Sequence, residues 1–273
     1  ILREAQTYEY FQSGGSVEAA YLLETFLTDR SRNYQTSMSS PRTAEFSCSR
    51  LSPHITYGSI SLRSIYQKAT SQIPYSQNKK DLKSFIKRLY WHCHFIQKLE
   101  TESRIEFRSM QSMCDDLRPN IDLEIIERLF AGETGFPFLD ACMKFLRQSG
   151  WINFRMRAMI MSFASYNLWQ PWQATSPLLA QLFVDYEPGI HICQAQMQSG
   201  VTGINLPRIY SVTKQSLDQD PNTDWIKKIL PELQSFSPNE IHRGDLKGRY
   251  PAKIVDLVYF CRKGIANIRA IDS

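Results

Sequence analysis

Residues 137–168 constrain the fold more than any other stretch of the chain. Leu139, Cys142/Met143 and Leu146 recur at helical spacing over Leu139–Ser149, and Gly150 stops the run. Met156, Met159/Ile160 and Phe163 then resume it over Asn153–Leu168. Two amphipathic helices joined by so few residues must bury their apolar faces against a shared core. The alternation that marks a half-buried strand is nearly absent, and no internal repeat is visible. Further helices are expected at 16–30, where Ser16 can cap and Ala19, Leu22/Leu23 and Phe26/Leu27 form one face, and at Asp81–Glu100, with Phe85, Leu89, His92/Cys93 and Ile96. Others fall at Asn120–Phe130, at Ser176–Phe183 with Pro177 in its first turn, at Asp224–Leu233 and at Pro251–Ala266. Residues 31–45 and Ser237–Arg249 read as loops. The expectation is an all-α fold of ten or more helices, one helical domain over 1–273.

The chain has 273 residues, 42% of them hydrophobic, enough for a sizeable core. A membrane span is not expected, because no run of 18 apolar residues exists. Cys48, Cys93, Cys114, Cys142, Cys193 and Cys261 are scattered without a CxxC pair, which favours free thiols in a reducing, intracellular compartment over disulfides. The start, ILREAQTYEY, has neither a signal-peptide pattern nor a methionine, as in a processed or trimmed chain. The net charge of +5 permits an anionic partner such as nucleic acid without demonstrating one.

Four stretches carry candidate chemistry. In FSCSRLSPHITYGSIS (46–61), serine hydroxyls and free backbone N–H groups opening into a helix suit a phosphate or pyrophosphate; a serine-rich capping loop is the plainer alternative. In Trp91-His92-Cys93-His94 the spacing sends the two histidines to different faces, so no metal site is expected, and Trp91 and His94 are assigned to a cavity wall or the core. Arg155 and Arg157 stand in a first helical turn, against the helix dipole, which calls for an anionic partner unless they are simply solvated. Finally, Asp185–Arg208 (DYEPGIHICQAQMQSGVTGINLPR) reads as irregular, polar and site-lining.

Three of the chain's blocks resemble the DNA photolyase/cryptochrome family. FSCSRLSPHITYGSIS resembles its flavin pyrophosphate loop, GETGFPFLDACMKFLRQSGWINFRMR a second block, and KQSLDQDPNTDWIKKILPEL a third, all in the family's order. The resemblance covers the helical FAD domain and not the N-terminal α/β antenna domain. It implies FAD as cofactor and UV-damaged DNA as a partner. The reaction it implies is light-driven electron transfer from reduced FAD that splits pyrimidine dimers. A non-repairing blue-light receptor and a FAD-holding structural subunit are its alternatives.

Residue by residue, the resemblance assigns Tyr34 to the tyrosine before the phosphate loop, and Cys48, Ser49, Arg50, Leu51 and Ser52 to the loop itself. It places 31–61 at the pyrophosphate and 131–233 around the flavin ring and substrate cavity. Arg157 and Asp185 match an arginine–aspartate pair beside the isoalloxazine. Tyr186 and Glu187 follow it, and His94 is placed at the cofactor. Trp91 matches a tryptophan that faces the dimer, with Arg88 where an acidic residue is usual. Trp172 matches the middle tryptophan of an electron-transfer chain. His191 and Ile192 stand where many members have two asparagines, the second of which meets flavin N5. Cys193 and Gln194 replace two glycines, Ala195 the inner tryptophan and Met197 a dimer-stacking tryptophan. The usual sequence after Arg208 becomes RIYSV. Trp169, Tyr186 or Tyr210 are the candidates to replace the missing electron step.

Overall fold

The computed structural model describes residues 11–203, 209–246 and 248–257. Within them are fourteen α-helices and no strand. In order these are α1 (Ser16–Thr25), α2 (Tyr34–Ser37), α3 (Pro41–Ser47), α4 (Ser52–Thr56), α5 (Leu62–Gln72), α6 (Lys79–Thr101) and α7 (Leu123–Ala131). There follow α8 (Pro137–Ser149), α9 (Phe154–Ser162), α10 (Trp172–Ala180), α11 (Pro188–Ser199), α12 (Val212–Gln219), α13 (Asp224–Ile229) and α14 (Pro238–Arg243). α1 and α9 each run on into a π-turn, Phe26–Arg30 and Phe163–Asn167.

Helices α8 and α9 sit at the centre, as their periodicity predicts. Phe138, Phe145, Met156 and Phe163 are at most 2% exposed in the main core, and each buried aromatic contributes about 2 kcal/mol. Gly150 ends α8 at φ 66°, a left-handed conformation that costs glycine little. Asp140, in the first turn of α8, turns back to accept from the Thr134 N–H and hydroxyl, the Gly135 N–H and the Tyr250 hydroxyl. A second core joins α1, α2, α5 and α6 through Leu23, Tyr34, Ile65 and Phe85, with Phe26 and Leu51.

Several expectations need correction. Ser16 is the first helical residue and not the cap; Gly15 holds that place without a side-chain bond. Residues 31–45 are not a loop, since Pro41 presets φ and starts α3 directly after α2. Ser237–Arg249 contains α14, started by a full capping box between Ser237 and Glu240. Pro177 lies inside α10, which begins five residues earlier at Trp172. The described part of the stretch, 185–203, is not irregular: Pro188–Ser199 forms α11, with Gly200 as its C-cap. Residues 251–256 are not helical. The rest of the helix expected at Pro251–Ala266, together with Cys261 and Arg208, lies outside the described residues, apart from Leu257.

Helix α11 is held by two contacts that the sequence conceals. A Cβ on Gly189 would stand 2.6 Å from the Ile96 Cα and 2.8 Å from the Phe95 carbonyl, so α11 lies backbone to backbone against α6. Gln196, fully buried, accepts from the Met110 N–H at 2.7 Å and donates to the Ile105 and Arg108 carbonyls. No described helix is long and apolar enough to cross a membrane.

Candidate functional site

The residues that α9 and the start of α11 bring together form a charged centre. Arg157 leaves the first turn of α9 and donates through Nη1 and Nη2 to the two carboxylate oxygens of Asp185, at 3.0 and 2.9 Å. Its Nε donates to the Ile152 carbonyl at 2.7 Å, and its guanidinium lies 4.2 Å from the Phe183 ring centre. All three positions are fixed, so the arginine has one orientation. The Asp185 side chain is 4% exposed and that of Arg157 25%.

The loop 48–52 stands in the same electrostatic neighbourhood. Arg50 adopts φ 62°, unusual for a residue with a Cβ. Its guanidinium lies 3.7 Å from the Trp151 ring centre. Burial lowers its pKa to about 10, and it feels the charges of Asp185 and Arg157. Its Nη1 is buried with no partner among the described residues. A buried guanidinium N–H left unpaired in the protein is costly and points to an acceptor from outside. The backbone N–H groups of Ser49 and Arg50 also donate to nothing among the described residues. Those of Cys48 and Leu51 are already used, by the Ala44 carbonyl and the Ser49 hydroxyl, which narrows the expected five-residue grip. Arg30, which no sequence signal marked, braces the loop by donating to the Cys48 and Ser49 carbonyls. Burial pushes the Cys48 thiol up to about 11, so it is a neutral group. Leu51 is a core residue, and Ser52 opens α4. Tyr34 is buried against Phe26 and Phe85, and burial raises its hydroxyl pKa.

On α11 and its approach, His191 and not Ile192 shares this centre. The His191 Nε2 bonds to the Ser176 hydroxyl and carbonyl, both at 2.9 Å, leaving Nδ1 without a partner among the described residues. Burial lowers its pKa to about 4, and Arg157 and Asp185 both act on it. Ile192 points elsewhere, into a small apolar cluster with Ile105 and Cys193. The difference is one residue along a helix, which turns a side chain by about 100°. Tyr186 lies edge-on to His191, and Glu187 is the N-cap residue of α11.

Along α6, Trp91 is 51% exposed and stacks on Phe95 at 5.5 Å. His94 is exposed beside it, so neither residue packs in the core. The histidine turned inward is His92, which feels Glu187 and whose Nδ1 is buried and has no partner among the described residues. Trp172 is buried and donates to the Ser109 hydroxyl at 3.3 Å. Ala195 is buried in the main core. Sequence reading missed Arg118, which is 4% exposed, has no carboxylate partner among the described residues and lies 4.5 Å from the Trp169 ring centre. Its Nε and Nη2 bond the Ser165 and Ser199 carbonyls. A shallow hollow between the start of α8, α12 and α14 contains none of the expected residues.

The fold and the site define a class: an all-helical domain with a candidate anion-binding loop in the neighbourhood of a fixed arginine–carboxylate pair. The comparisons with known proteins give that class its family. Residues 85–269 match the family described as the FAD binding domain of DNA photolyase, and the chain belongs to it. A deoxyribodipyrimidine photo-lyase of Alkalihalophilus pseudofirmus is 28% identical over 230 residues, 84% of this chain and 47% of that protein. A cryptochrome-1 of Spalax judaei is 26% identical over 242 residues, 84% of this chain and 40% of its own length. The crystal structure of an archaeal photolyase from Sulfolobus tokodaii, with two FAD molecules, superposes with a TM-score of 0.81 at 26% identity, covering 94% of this chain and 56% of that one. The chain thus spans about half the length of the relatives it matches. It is a photolyase/cryptochrome-like FAD-binding domain.

Proposed function

We propose that the chain, as one helical domain over 1–273, holds FAD between the loop 48–52 and the Arg157–Asp185 pair, and serves light-driven repair of pyrimidine dimers in DNA. The observation that carries the reading is the buried, unpartnered Nη1 of Arg50 next to that pair. Bound FAD, once reduced and excited by light, would lend the dimer an electron that returns to the flavin after the dimer splits. The protein's part is placement and electrostatics. The N–H groups of Ser49 and Arg50 and the Arg50 guanidinium receive phosphate charge. Asp185 holds Arg157 in one orientation, so a fixed cation would be available to the flavin at no reorganisation cost. His191, neutral and anchored on Ser176, leaves Nδ1 for a ligand. Trp91, flat on Phe95 and half exposed, offers a stacking face for an extruded base.

Ala195 favours a second reading, a FAD-holding domain without repair. Its position in the core breaks the tryptophan chain before Trp172, whose indole N–H is tied to Ser109. Two measurements decide. The purified protein's visible absorbance must show flavin; a flavin-free protein that takes up no added FAD overturns both readings. The reduced holoprotein is then incubated with thymine-dimer DNA in light and in darkness. Light-dependent loss of dimers supports repair, and equal dimer content in both arms leaves the second reading.

A further inference from the structure

Two histidines bond a serine among the described residues, and one of them is arranged for chemistry. At His191 a single nitrogen, Nε2, meets both the hydroxyl and the carbonyl of Ser176. At His242 the two ring nitrogens have different partners. Nε2 lies 3.0 Å from the Pro221 carbonyl, and Nδ1 lies 2.7 Å from the Ser216 hydroxyl. A carbonyl only accepts, so in the neutral ring the proton sits on Nε2. Nδ1 then carries the lone pair, and the Ser216 O–H donates to it. This is the order of a nucleophile, its base and the group that fixes the base's tautomer.

The fold brings these groups from three places: Ser216 from α12, Pro221 from the turn before α13, and His242 from α14. Ser216 is 3% exposed and His242 8%, and both line the hollow between the start of α8, α12 and α14. Phe136, Phe138, Val212 and Ile241 make the other walls apolar. The hollow measures about 210 Å³, below the roughly 300 Å³ at which drug-sized sites begin. It therefore suits a short acyl group and not a long chain. Val212 and Thr213, in the first turn of α12, line the same hollow, and their N–H groups donate to nothing among the described residues. They are the available donors for an oxyanion. A purely structural tie between α12 and α14 needs neither a fixed tautomer nor a hollow at the hydroxyl.

We propose that Ser216 is an acylatable nucleophile, with His242 as its base, which hydrolyses small activated esters without flavin or light. The Ser216 Oγ attacks the ester carbonyl carbon while its proton passes to the His242 Nδ1. The ester C–O bond breaks, and the leaving alcohol or phenol takes that proton. Water then attacks the acyl-serine, its proton returns through Nδ1 to the Ser216 Oγ, and the carboxylic acid departs. The proposal rests on neither the flavin nor the DNA reading. The test treats the full chain, as purified and in the dark, with p-nitrophenyl acetate. Absorbance follows nitrophenol release, and peptide mapping of acid-quenched protein locates the acetyl group. One acetyl group per chain should map to Ser216. His242→Gln keeps a donor for the Pro221 carbonyl and removes the base, so acetylation should slow at least about a hundredfold. Ser216→Ala should lose the label. Acetyl groups on lysines with Ser216 unmodified, or equal rates in the parent and a folded His242→Gln protein, overturn the proposal. If neither variant folds, the position of the acetyl group in the parent decides.

Discussion

Both terminal nitrogens of Arg157 meet both carboxylate oxygens of Asp185, at 3.0 and 2.9 Å, across 28 residues of sequence. The pair ties the start of α9 to the approach to α11. Removing the acid strands a cation that is largely cut off from water. Asp185→Ala should therefore cost about 3 kcal/mol in folding stability and release most of the flavin. Denaturant melts and the visible absorbance of purified protein check this. Parental flavin content in the variant contradicts the placement of the pair.

Arg50 combines a left-handed backbone with an unpaired buried N–H. Arg50→Gly relieves the first and deletes the second. We expect stability within about 1 kcal/mol of the parent. The affinity for FAD should drop at least tenfold, because a charge-assisted contact is lost. Flavin titration of the apoprotein gives the number. An unchanged affinity would show that Arg50 serves only its stacking on Trp151.

Gly189 leaves no room between α11 and α6. Gly189→Ala must push against the backbone at Phe95 and Ile96, which cannot yield as a side-chain tip would. A loss of about 2 kcal/mol is expected despite alanine's better helix propensity. A melting temperature equal to or above the parent's contradicts the close approach.

His191 gives the site a pH limit. Its folded pKa is about 4, below the unfolded value of about 6.5. Above pH 6.5 neither state is protonated and stability is complete. As pH falls from about 6.5 to about 4, only the unfolded chain takes the proton, so stability declines by up to about 3 kcal/mol. His191→Phe keeps the ring contacts with Phe183 and Tyr186 and should flatten this part of the profile. Urea melts at several pH values measure it; an unchanged slope in the variant assigns the titration to another group.

The central helices could be read from sequence because their apolar positions recur at one spacing and glycine closes the run, as in Leu139–Ser149 before Gly150. The helix α11 could not. Its face toward residues 105–110 is built on Gln196, a polar side chain whose bonds lie inside the protein, and Gly189 looks like a helix breaker when it is a contact surface. The segments α2, α3 and α14 were hidden by Ser, Thr and Arg content, although Pro41 and the Ser237–Glu240 box were visible as start signals. At the site, the motif resemblance located Arg157 and Asp185. It did not separate His191 from Ile192, or His92 from His94, because neighbouring helical residues differ in direction, and direction depends on what the helix packs against. Arg118 and Arg30 carry no motif at all: most of their partners are main-chain carbonyls, which any sequence supplies.

The bonds of Gln196 also have a consequence in time. The groups it holds, the Met110 N–H and the Ile105 carbonyl, precede it by 86 and 91 residues. A chain emerging from the ribosome makes α6 and the turn after it long before the helix that completes them. Until then Phe95, Leu99 and Ile105 have no Ile192 or Cys193 to cover them. Docking of α11 is thus a late, long-range step. Variants that weaken it should appear first as slow folding and aggregation of nascent protein, ahead of any defect in the finished molecule.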